Sequence, residues 1–457
     1  MNFSQDATET LREAAFAAAE SNNFPTVRTL LAAGADPNAT DDMGTPILCR
    51  AAQFDRLEMA QSLLEAGANP NISWKNGWTP CSFWKGGWTP LMAAVTTNSL
   101  PLVRLLLTYG AEVNLHTATG KTALSLAASK GSLRILDELL AHGANVQFRD
   151  AEGDSALTRA AAWKCGRIVR SLLAAGAEVG LREATLLGNL PRMRELLTLG
   201  ENRSPNEMAY ALRWAAGFGK IDSLRLLLAH GAEVDAKGKH NTNALSHAAS
   251  RGEGGAVRVL VAHGADVNAL GVVGMTPLIA LLWRRSRPEV ETVRALLDAG
   301  AEINAGAQSR MPGFGGTTAL IAAATYGATE CARLLIERGA DLERSTEYDE
   351  DEGVGAETAL LAAVWNSHLN LVRLFVAGGA DVNNNGGVGR RPLHLAREQA
   401  KRETRLSDWS RAGEQAWVRD WAKVKARRPA VRRVRHQRWR QARQEIVDLL
   451  IAAGGKE

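Results

Sequence analysis

Arginines and aromatic residues are the side chains of this 457-residue sequence whose type and spacing could do chemistry. Seven arginines and no acid lie within the fourteen residues from Arg427 to Arg440. Guanidinium groups form bidentate hydrogen bonds with phosphate and carboxylate oxygens. The pattern therefore predicts an anion-binding segment, whose candidate residues are Arg427, Arg428, Arg432, Arg433, Arg435, Arg438 and Arg440.

Catalytic signatures are missing from the sequence. It has no G-x-x-x-x-G-K-[ST] phosphate loop, no G-x-S-x-G nucleophile turn and no H-E-x-x-H zinc helix. Its four cysteines form no C-x-x-C pair. Three of its nine histidines, His142, His230 and His263, each precede a recurring glycine, which is typical of a structural role at a helix C-terminus. We therefore expect no catalytic residues, no metal and no cofactor.

The composition predicts a cytoplasmic or otherwise intracellular protein without a transmembrane segment. Hydrophobic residues make up 46% and charged residues 23% of the chain, as in folded proteins. No apolar run approaches the roughly 18 residues that a membrane helix needs. The first residues show neither the basic start nor the apolar stretch of a secretion signal. The formal net charge of +5 is uneven, because residues 401–440 hold 14 Lys or Arg against 4 Asp or Glu.

A repeating unit must position these side chains. A leucine-rich stretch followed by Gly-Ala, an acid or Asn, and often Val-Asn recurs along the chain. Its anchor glycines are Gly34, Gly67, Gly110, Gly143, Gly176, Gly200, Gly231, Gly264, Gly300, Gly339, Gly379 and Gly454. Upstream of most anchors stands a second phrase, such as Thr89-Pro-Leu or Thr122-Ala-Leu. The apolar positions before each anchor follow helical spacing, and the glycine supplies the left-handed residue that ends a helix.

With a period of about 33 residues and both phrases present, the sequence resembles the ankyrin repeat family over nearly its whole length. The resemblance implies a mostly α fold, an ankyrin-repeat α-solenoid of stacked helix-turn-helix units with extended finger or hairpin loops. Neighbouring units must stack, because none can bury its apolar face alone. The resemblance also implies recognition of another protein on a concave groove made by the first helices and the fingers, without naming the partner.

Six aromatic residues occupy the places that the resemblance assigns to this groove. Counted from the Thr-equivalent residue of each repeat, these are the fifth, eighth and ninth places, and they hold Trp163, Trp214, Phe218, Trp283, Tyr326 and Trp365. Aromatic side chains supply much of the energy of protein interfaces. The leading prediction is therefore a non-catalytic scaffold that binds a partner protein through the groove. The alternative is that these rings pack on the neighbouring repeat.

Several anchor spacings depart from the period, and two of them lie before the last repeats. The 43 residues between Gly67 and Gly110 contain a tandem duplication, Trp74 to Pro80 followed by Trp84 to Pro90. It is either a neutral insertion in a surface loop or an exposed tryptophan contact site. The 24 residues between Gly176 and Gly200 leave no room for a finger, which predicts a weakly matched junction at residues 176–209.

The last repeat is interrupted by a long insertion. We expect residues 1–397 to hold repeats 1–11 and the first helix of repeat 12, residues 398–439 to form a basic Trp/Arg-rich helical insertion, and residues 440–457 to supply the second helix of a terminal capping repeat. A helical hairpin with Pro429 near its turn fits the apolar spacing. The insertion either packs on itself with a solvated basic face or binds nucleic acid, an acidic protein or an anionic lipid surface. An anion-binding function through this segment is the second hypothesis.

Overall fold

The computed structural model describes residues 23–41, 44–74, 86–199, 204–238, 242–271, 274–283, 288–308, 315–347, 357–386, 391–401 and 429–456. Within these ranges the regular structure is helical, and backbone pairing of the β type is limited to isolated bridges such as His116 with Thr122. The expected mostly α fold of stacked helix-turn-helix units is confirmed. The chain divides into two compact units, Met1–Leu187 (unit 1) and Gly188–Glu457 (unit 2).

In unit 1 the described helices alternate between second helices (odd labels) and first helices (even labels) of successive repeats. They are α1 (Phe24–Ala32), α2 (Ile47–Gln53), α3 (Leu57–Glu65), α4 (Pro90–Thr96), α5 (Leu100–Thr108), α6 (Ala123–Lys130), α7 (Leu133–Ala141), α8 (Ala156–Ala162), α9 (Gly166–Ala174) and α10 (Leu181–Leu187). One buried cluster runs through the unit, from Val27 near its start to Ala177 near its end. Each repeat therefore completes the core of its neighbours.

Unit 2 has the same alternation. Its described helices are α11 (Leu190–Leu199), α12 (Pro205–Gly217), α13 (Ile221–Ala229), α14 (Ala244–Arg251), α15 (Gly254–Ala262), α16 (Pro277–Leu282), α17 (Val290–Asp298), α18 (Ala319–Tyr326), α19 (Thr329–Glu337), α20 (Ala359–Trp365), α21 (Leu369–Ala377), α22 (Pro392–Lys401) and α23 (Pro429–Ala452). The first helices α12, α14, α16, α18, α20 and α22 contact one another in that order.

The two recurring phrases mark helix ends. The hydroxyl of Thr89 accepts the N–H of Met92 at 3.3 Å and so caps α4, and Thr122 and Ser125 cap α6 reciprocally. At the other end, every described anchor glycine has φ between +78° and +93°. A side chain is strained in that region, so glycine ends each second helix at low cost.

The three histidines before anchor glycines have the predicted structural role. The Nδ1 atoms of His142, His230 and His263 lie 2.9, 2.9 and 2.8 Å from the carbonyl oxygens four residues earlier. These are carbonyls of the last helical turn. The assignment of these histidines to helix C-termini is confirmed.

The Asn of the Val-Asn phrase joins each repeat to the next. Asn114 accepts the N–H of Asn145 at 2.7 Å, and its Nδ2 donates to the carbonyl of Gly143 at 3.1 Å. Residues at the same place bond the next repeat in both units, and together they form what we call the finger ladder: Asn38, Asn71, Asn114, Gln147, Asp235, Asn268, Asn304, Glu343 and Asn383. Gly180 stands at this place in the shortened repeat and has no side chain to contribute.

The tandem duplication does not expose all of its tryptophans. Trp74 and Trp88 are buried, and their backbones form an isolated antiparallel bridge in which Trp74 N–H donates to the Trp88 carbonyl at 3.0 Å. For these two residues the prediction of an exposed contact site is wrong, because they close the base of the finger and pack in the core of unit 1. Trp78 and Trp84 lie outside the described residues.

The predicted junction at residues 176–209 contains the boundary between the two units. Helix α10 begins at Leu181, five residues after the anchor Gly176, so this repeat has no finger, as expected.

At the other end of the chain, α23 runs without a break from Pro429 to Ala452. Its buried Arg443 donates to the carbonyl of Gln399 at 2.7 Å and to the hydroxyl of Ser367 at 3.2 Å. These bonds hold α23 against α22 and the turn between α20 and α21. Residues 402–428 of the predicted hairpin lie outside the described residues.

Candidate functional site

The first helices of unit 2 leave one row of side chains partly exposed while most of each helix is buried. The row consists of residues at the fifth, eighth and ninth places of consecutive repeats, and we call it the first-helix face: Trp214, Phe218, His247, Arg251, Trp283, Tyr326 and Trp365. None of these seven side chains is fully buried, and Trp365 is 41% exposed. Five of the six predicted aromatic residues therefore lie on one face of one unit.

Three rings follow one another along α12, one pair tilted and one pair stacked. Tyr210 and Trp214 have ring centroids 5.6 Å apart, and Trp214 and Phe218 have centroids 5.1 Å apart with planes only 5° from parallel. The spacing of four residues places them on one side of the helix. The guanidinium carbon of Arg251 lies 4.1 Å from the Phe218 ring centroid, a cation–π contact. The arrangement is an aromatic column, which we define as Tyr210, Trp214, Phe218 and the covering Arg251.

His247 of α14 packs against this column. Its ring meets Trp214 edge-on at 6.0 Å, and its Nδ1 lies 2.9 Å from the carbonyl oxygen of Arg213. Burial lowers the pKa of His247, and the charges of Arg251 and Arg213 lower it further. The imidazole is therefore neutral at pH 7 and lies close to two cations.

Gly217 allows this close approach between α12 and α14. A Cβ atom at position 217 would lie 2.7 Å from the His247 ring and 3.0 Å from the Arg251 side chain. Both distances are shorter than ordinary carbon contacts. The absence of a side chain in this one place therefore brings His247 and Arg251 onto the column.

Trp283 and Tyr326 form a second aromatic contact on the same face. Their rings are 5.4 Å apart and 82° from parallel, an edge-to-face pair between neighbouring repeats. Trp214 likewise meets His247 of the next repeat. Part of the surface of these rings thus packs on the neighbouring repeat, as the alternative prediction has it. Each ring still keeps some exposed area.

Trp163 belongs to unit 1, whereas the other five belong to unit 2. It caps α8 and is 62% exposed. Phe54 takes the same ninth place in the repeat that begins with Pro46, and it is 47% exposed. Counting 21 residues back from Gly67 gives Pro46 as the first place of this repeat, and Phe54 is then its ninth place. His247 and Arg251 were missed because only aromatic residues were collected at these places.

A buried ionic network near the end of unit 1 holds charged groups of the kind used in acid–base chemistry. Glu183 is fully buried and accepts hydrogen bonds from Thr158 at 2.7 Å, Ser155 at 2.8 Å and Arg149 at 3.0 Å. Burial alone would raise its pKa. The Thr158 bond, the Arg149 charge and the Ser155 bond outweigh burial and hold the pKa of Glu183 below its ordinary value. These three partners join Glu183 to the adjacent repeat, so the network serves packing.

The predicted anion-binding arginines lie at the start of α23 and just before it. Arg427 and Arg428 are outside the described residues, and the other five belong to α23. Their anion-binding role stays a prediction.

Among the described residues, no group of three or more His, Cys, Asp or Glu side chains is arranged to hold a metal ion. No helix in the described part of the chain is long and apolar enough to cross a membrane.

Comparison with known proteins gives two findings. The family model for ankyrin repeats in three copies matches residues 14–117, 91–183, 181–271, 212–307 and 271–346, and the model for ankyrin repeats in many copies matches residues 319–376. Among curated proteins, the chain is similar to glycerophosphocholine phosphodiesterase gde1 of Schizosaccharomyces pombe, with 34% identity over 98 residues. That stretch is 21% of this chain and 8% of the relative's length.

Proposed function

This chain belongs to the ankyrin repeat family, and from that premise we propose that it is a non-catalytic scaffold that binds a partner protein through the groove lined by its first helices. Ankyrin repeats are a protein-interaction architecture. The observation that carries the proposal is the first-helix face of unit 2, on which five aromatic residues of four first helices or their caps stay partly exposed. Buried and half-buried aromatic side chains dominate the energy of protein interfaces.

The match to the phosphodiesterase does not argue for phosphodiester hydrolysis here. It spans only 8% of that enzyme, so it does not carry the enzyme's activity over to this chain. The fully buried carboxylate of Glu183 is engaged in contacts between repeats. A binding role fits these observations better than a catalytic one.

The test is capture of the partner from an extract of the source cells by the full chain and by variants. The double variant Trp283→Ala and Trp365→Ala should lose at least tenfold in partner affinity, since exposed aromatic hot spots contribute on the order of 2 kcal/mol each. Its melting temperature should stay within a few degrees of the parent, because both rings are partly exposed. Tyr109→Ala is the matched control, because Tyr109 is also exposed but follows a second helix. Unchanged capture by the double variant would refute the groove as the binding surface.

We propose a second function for the basic segment. Seven arginines between Arg427 and Arg440, without an acid, favour binding of nucleic acid or another anionic surface through residues 398–439. Replacing residues 398–439 by a short turn, with the circular dichroism of the rest intact, separates the two. If captured nucleic acid disappears while the protein partner stays, the segment has this second role. If neither changes, the segment has no anion-binding role.

A further inference from the structure

We propose that unit 2 holds a second binding site, a cleft at the start of α12 that takes an extended segment of a partner protein through an Asn or Gln side chain. The partner's carboxamide there replaces a missing link of the finger ladder. The site shares no residue with the first-helix face, and it goes beyond the proposed function without depending on it. Three observations support the site: the bonds that a ladder residue makes, a repeat without such a residue, and the cleft in its place.

Five ladder residues with a carboxamide make the same two hydrogen bonds. Each accepts the N–H of the residue two positions after the next anchor glycine, and each donates to the carbonyl of that glycine. Asn268 accepts the Glu302 N–H at 2.9 Å and donates to the Gly300 carbonyl at 3.1 Å. A carboxamide suits this pair, because it carries an acceptor oxygen and a donor nitrogen side by side. The other four are Asn71, Asn114, Gln147 and Asn383.

The repeat that leads into α12 has no such residue to offer. Helix α12 begins at Pro205, five residues after the anchor Gly200, whereas α6 begins thirteen residues after its anchor. Ser204 stands at the ladder place, but its hydroxyl accepts a backbone N–H of the first turn of α12 at 3.2 Å and so caps that helix. Among the described residues, neither the N–H of Glu233 nor the carbonyl of Gly231 makes a hydrogen bond. These are the two groups that a ladder residue would engage, since Gly231 is the next anchor.

A cleft of about 630 Å³ lies where the link is missing. Gly231 and Glu233 line it together with Met208 and Ala209 of α12. Its volume is in the range of ligand-binding clefts. The cleft thus combines a peptide donor, a peptide acceptor and apolar side chains, which is what an extended peptide with one carboxamide can use.

The segment that fits best carries an aliphatic residue before its Asn or Gln. In this chain the residue before a ladder residue is often valine, and Val267 and Val382 are buried. A valine of the partner can pack on Met208 and Ala209 while the following Asn bonds the backbone. A second copy of this chain fits less well as the occupant, because its carboxamides at these places already bond their own repeats.

The probe is a fluorescein-labelled peptide with the sequence of residues 111–118, which contains the ladder residue Asn114. Its binding to the full chain is measured by fluorescence polarisation, beside peptides with Gln, Asp or Ala in place of that Asn. Hydrogen exchange with mass spectrometry follows the segment that contains Glu233. The variant Asn206→Trp fills the cleft, because Asn206 is exposed and lines it. Asn370→Trp is the matched control, because Asn370 is also exposed and is also the second residue of its helix, α21.

We expect the Asn and Gln peptides to bind within about threefold of each other, because Gln147 makes both ladder bonds. The Ala peptide should bind about tenfold more weakly, because it lacks both hydrogen bonds. The Asp peptide should fall between them, since a carboxylate accepts the Glu233 N–H but cannot donate to the Gly231 carbonyl. Asn206→Trp should weaken the Asn peptide by about tenfold or more through steric clash, whereas Asn370→Trp should change its affinity by less than about twofold.

The proposal is overturned if the peptide does not bind at millimolar concentration, if the Ala peptide binds as well as the Asn peptide, if Asn206→Trp binds normally, or if the segment that contains Glu233 is not protected. Melting curves show whether Asn206→Trp unfolds the chain, and in that case the Ala peptide against the parent chain decides. Self-association that Asn206→Trp abolishes would also overturn it, since the cleft would then take a second copy. None of these results bears on the first-helix face, which the double variant Trp283→Ala and Trp365→Ala tests separately.

Discussion

Removing one link of the finger ladder should cost a calculable amount of stability. In Asn114→Ala, two hydrogen bonds to the next repeat are lost, one from the Asn145 N–H at 2.7 Å and one to the Gly143 carbonyl at 3.1 Å. Each is worth about 0.5–1.5 kcal/mol net. Both backbone partners lie at an exposed site, where water replaces the lost bonds and no buried group is left unsatisfied. The expected loss is therefore near the lower end, about 1–1.5 kcal/mol in free energy of unfolding.

Urea denaturation followed by circular dichroism measures this loss as a lower midpoint, and two further substitutions grade it. Asn114→Asp keeps the acceptor and loses the donor, so it should cost about half as much as Ala. Asn114→Gln should cost least, because Gln147 makes the same pair of bonds one repeat further on. If Ala leaves the midpoint unchanged, or if Asp is as harmful as Ala, the ladder does not hold the repeats together as reasoned.

Two other predictions concern stability in unit 1. Glu183→Gln should lower the free energy of unfolding by about 2–4 kcal/mol at pH 7, because a buried charged hydrogen-bond network loses its anion. The pKa of Glu183 in the folded protein lies below the ordinary value of 4.5, so this stabilisation is present above pH 4.5 and is lost as the pH falls through the folded pKa. Urea titrations of parent and variant should therefore converge in acid, and a constant difference down to low pH would contradict the prediction. Lys164→Gly should raise the free energy of unfolding by about 0.5–1 kcal/mol, because Lys164 has φ +56° in the turn between α8 and α9. The control Asn98→Gly, at φ +60°, should raise it less, since Asn tolerates this region. Calorimetry that finds no increase for Lys164→Gly would refute the backbone strain at Lys164.

The period and the anchor glycines were enough to predict the fold. Each described anchor has the left-handed φ that ends a helix, and Thr89 and Thr122 cap the first helices that their phrases predict. These features are local, since a helix end depends on a few neighbouring residues. Phe54 could also have been found by counting, since it takes the ninth place of the repeat that begins at Pro46.

The sequence did not predict the features that depend on contacts between repeats. The duplication predicts a longer finger, but not that Trp74 and Trp88 pair and become buried at its base. Counting places found Trp214 and Phe218, whereas the stacking of Arg251 on Phe218 depends on how α14 lies against Gly217. Such distances are set by packing in three dimensions, which a linear count does not contain.

The finger ladder also explains how this chain tolerates changes of length. The same link spans 31 residues from Asn114 to Asn145, 41 residues from Asn71 to Glu112, where the duplication lies, and 73 residues from Asn383 to Lys456, where the long insertion lies. Extra residues enter between the bonded places and leave the bond itself unchanged. Insertions can therefore accumulate by duplication and diverge freely, because natural selection on stability acts on the link and not on the length of chain between its ends.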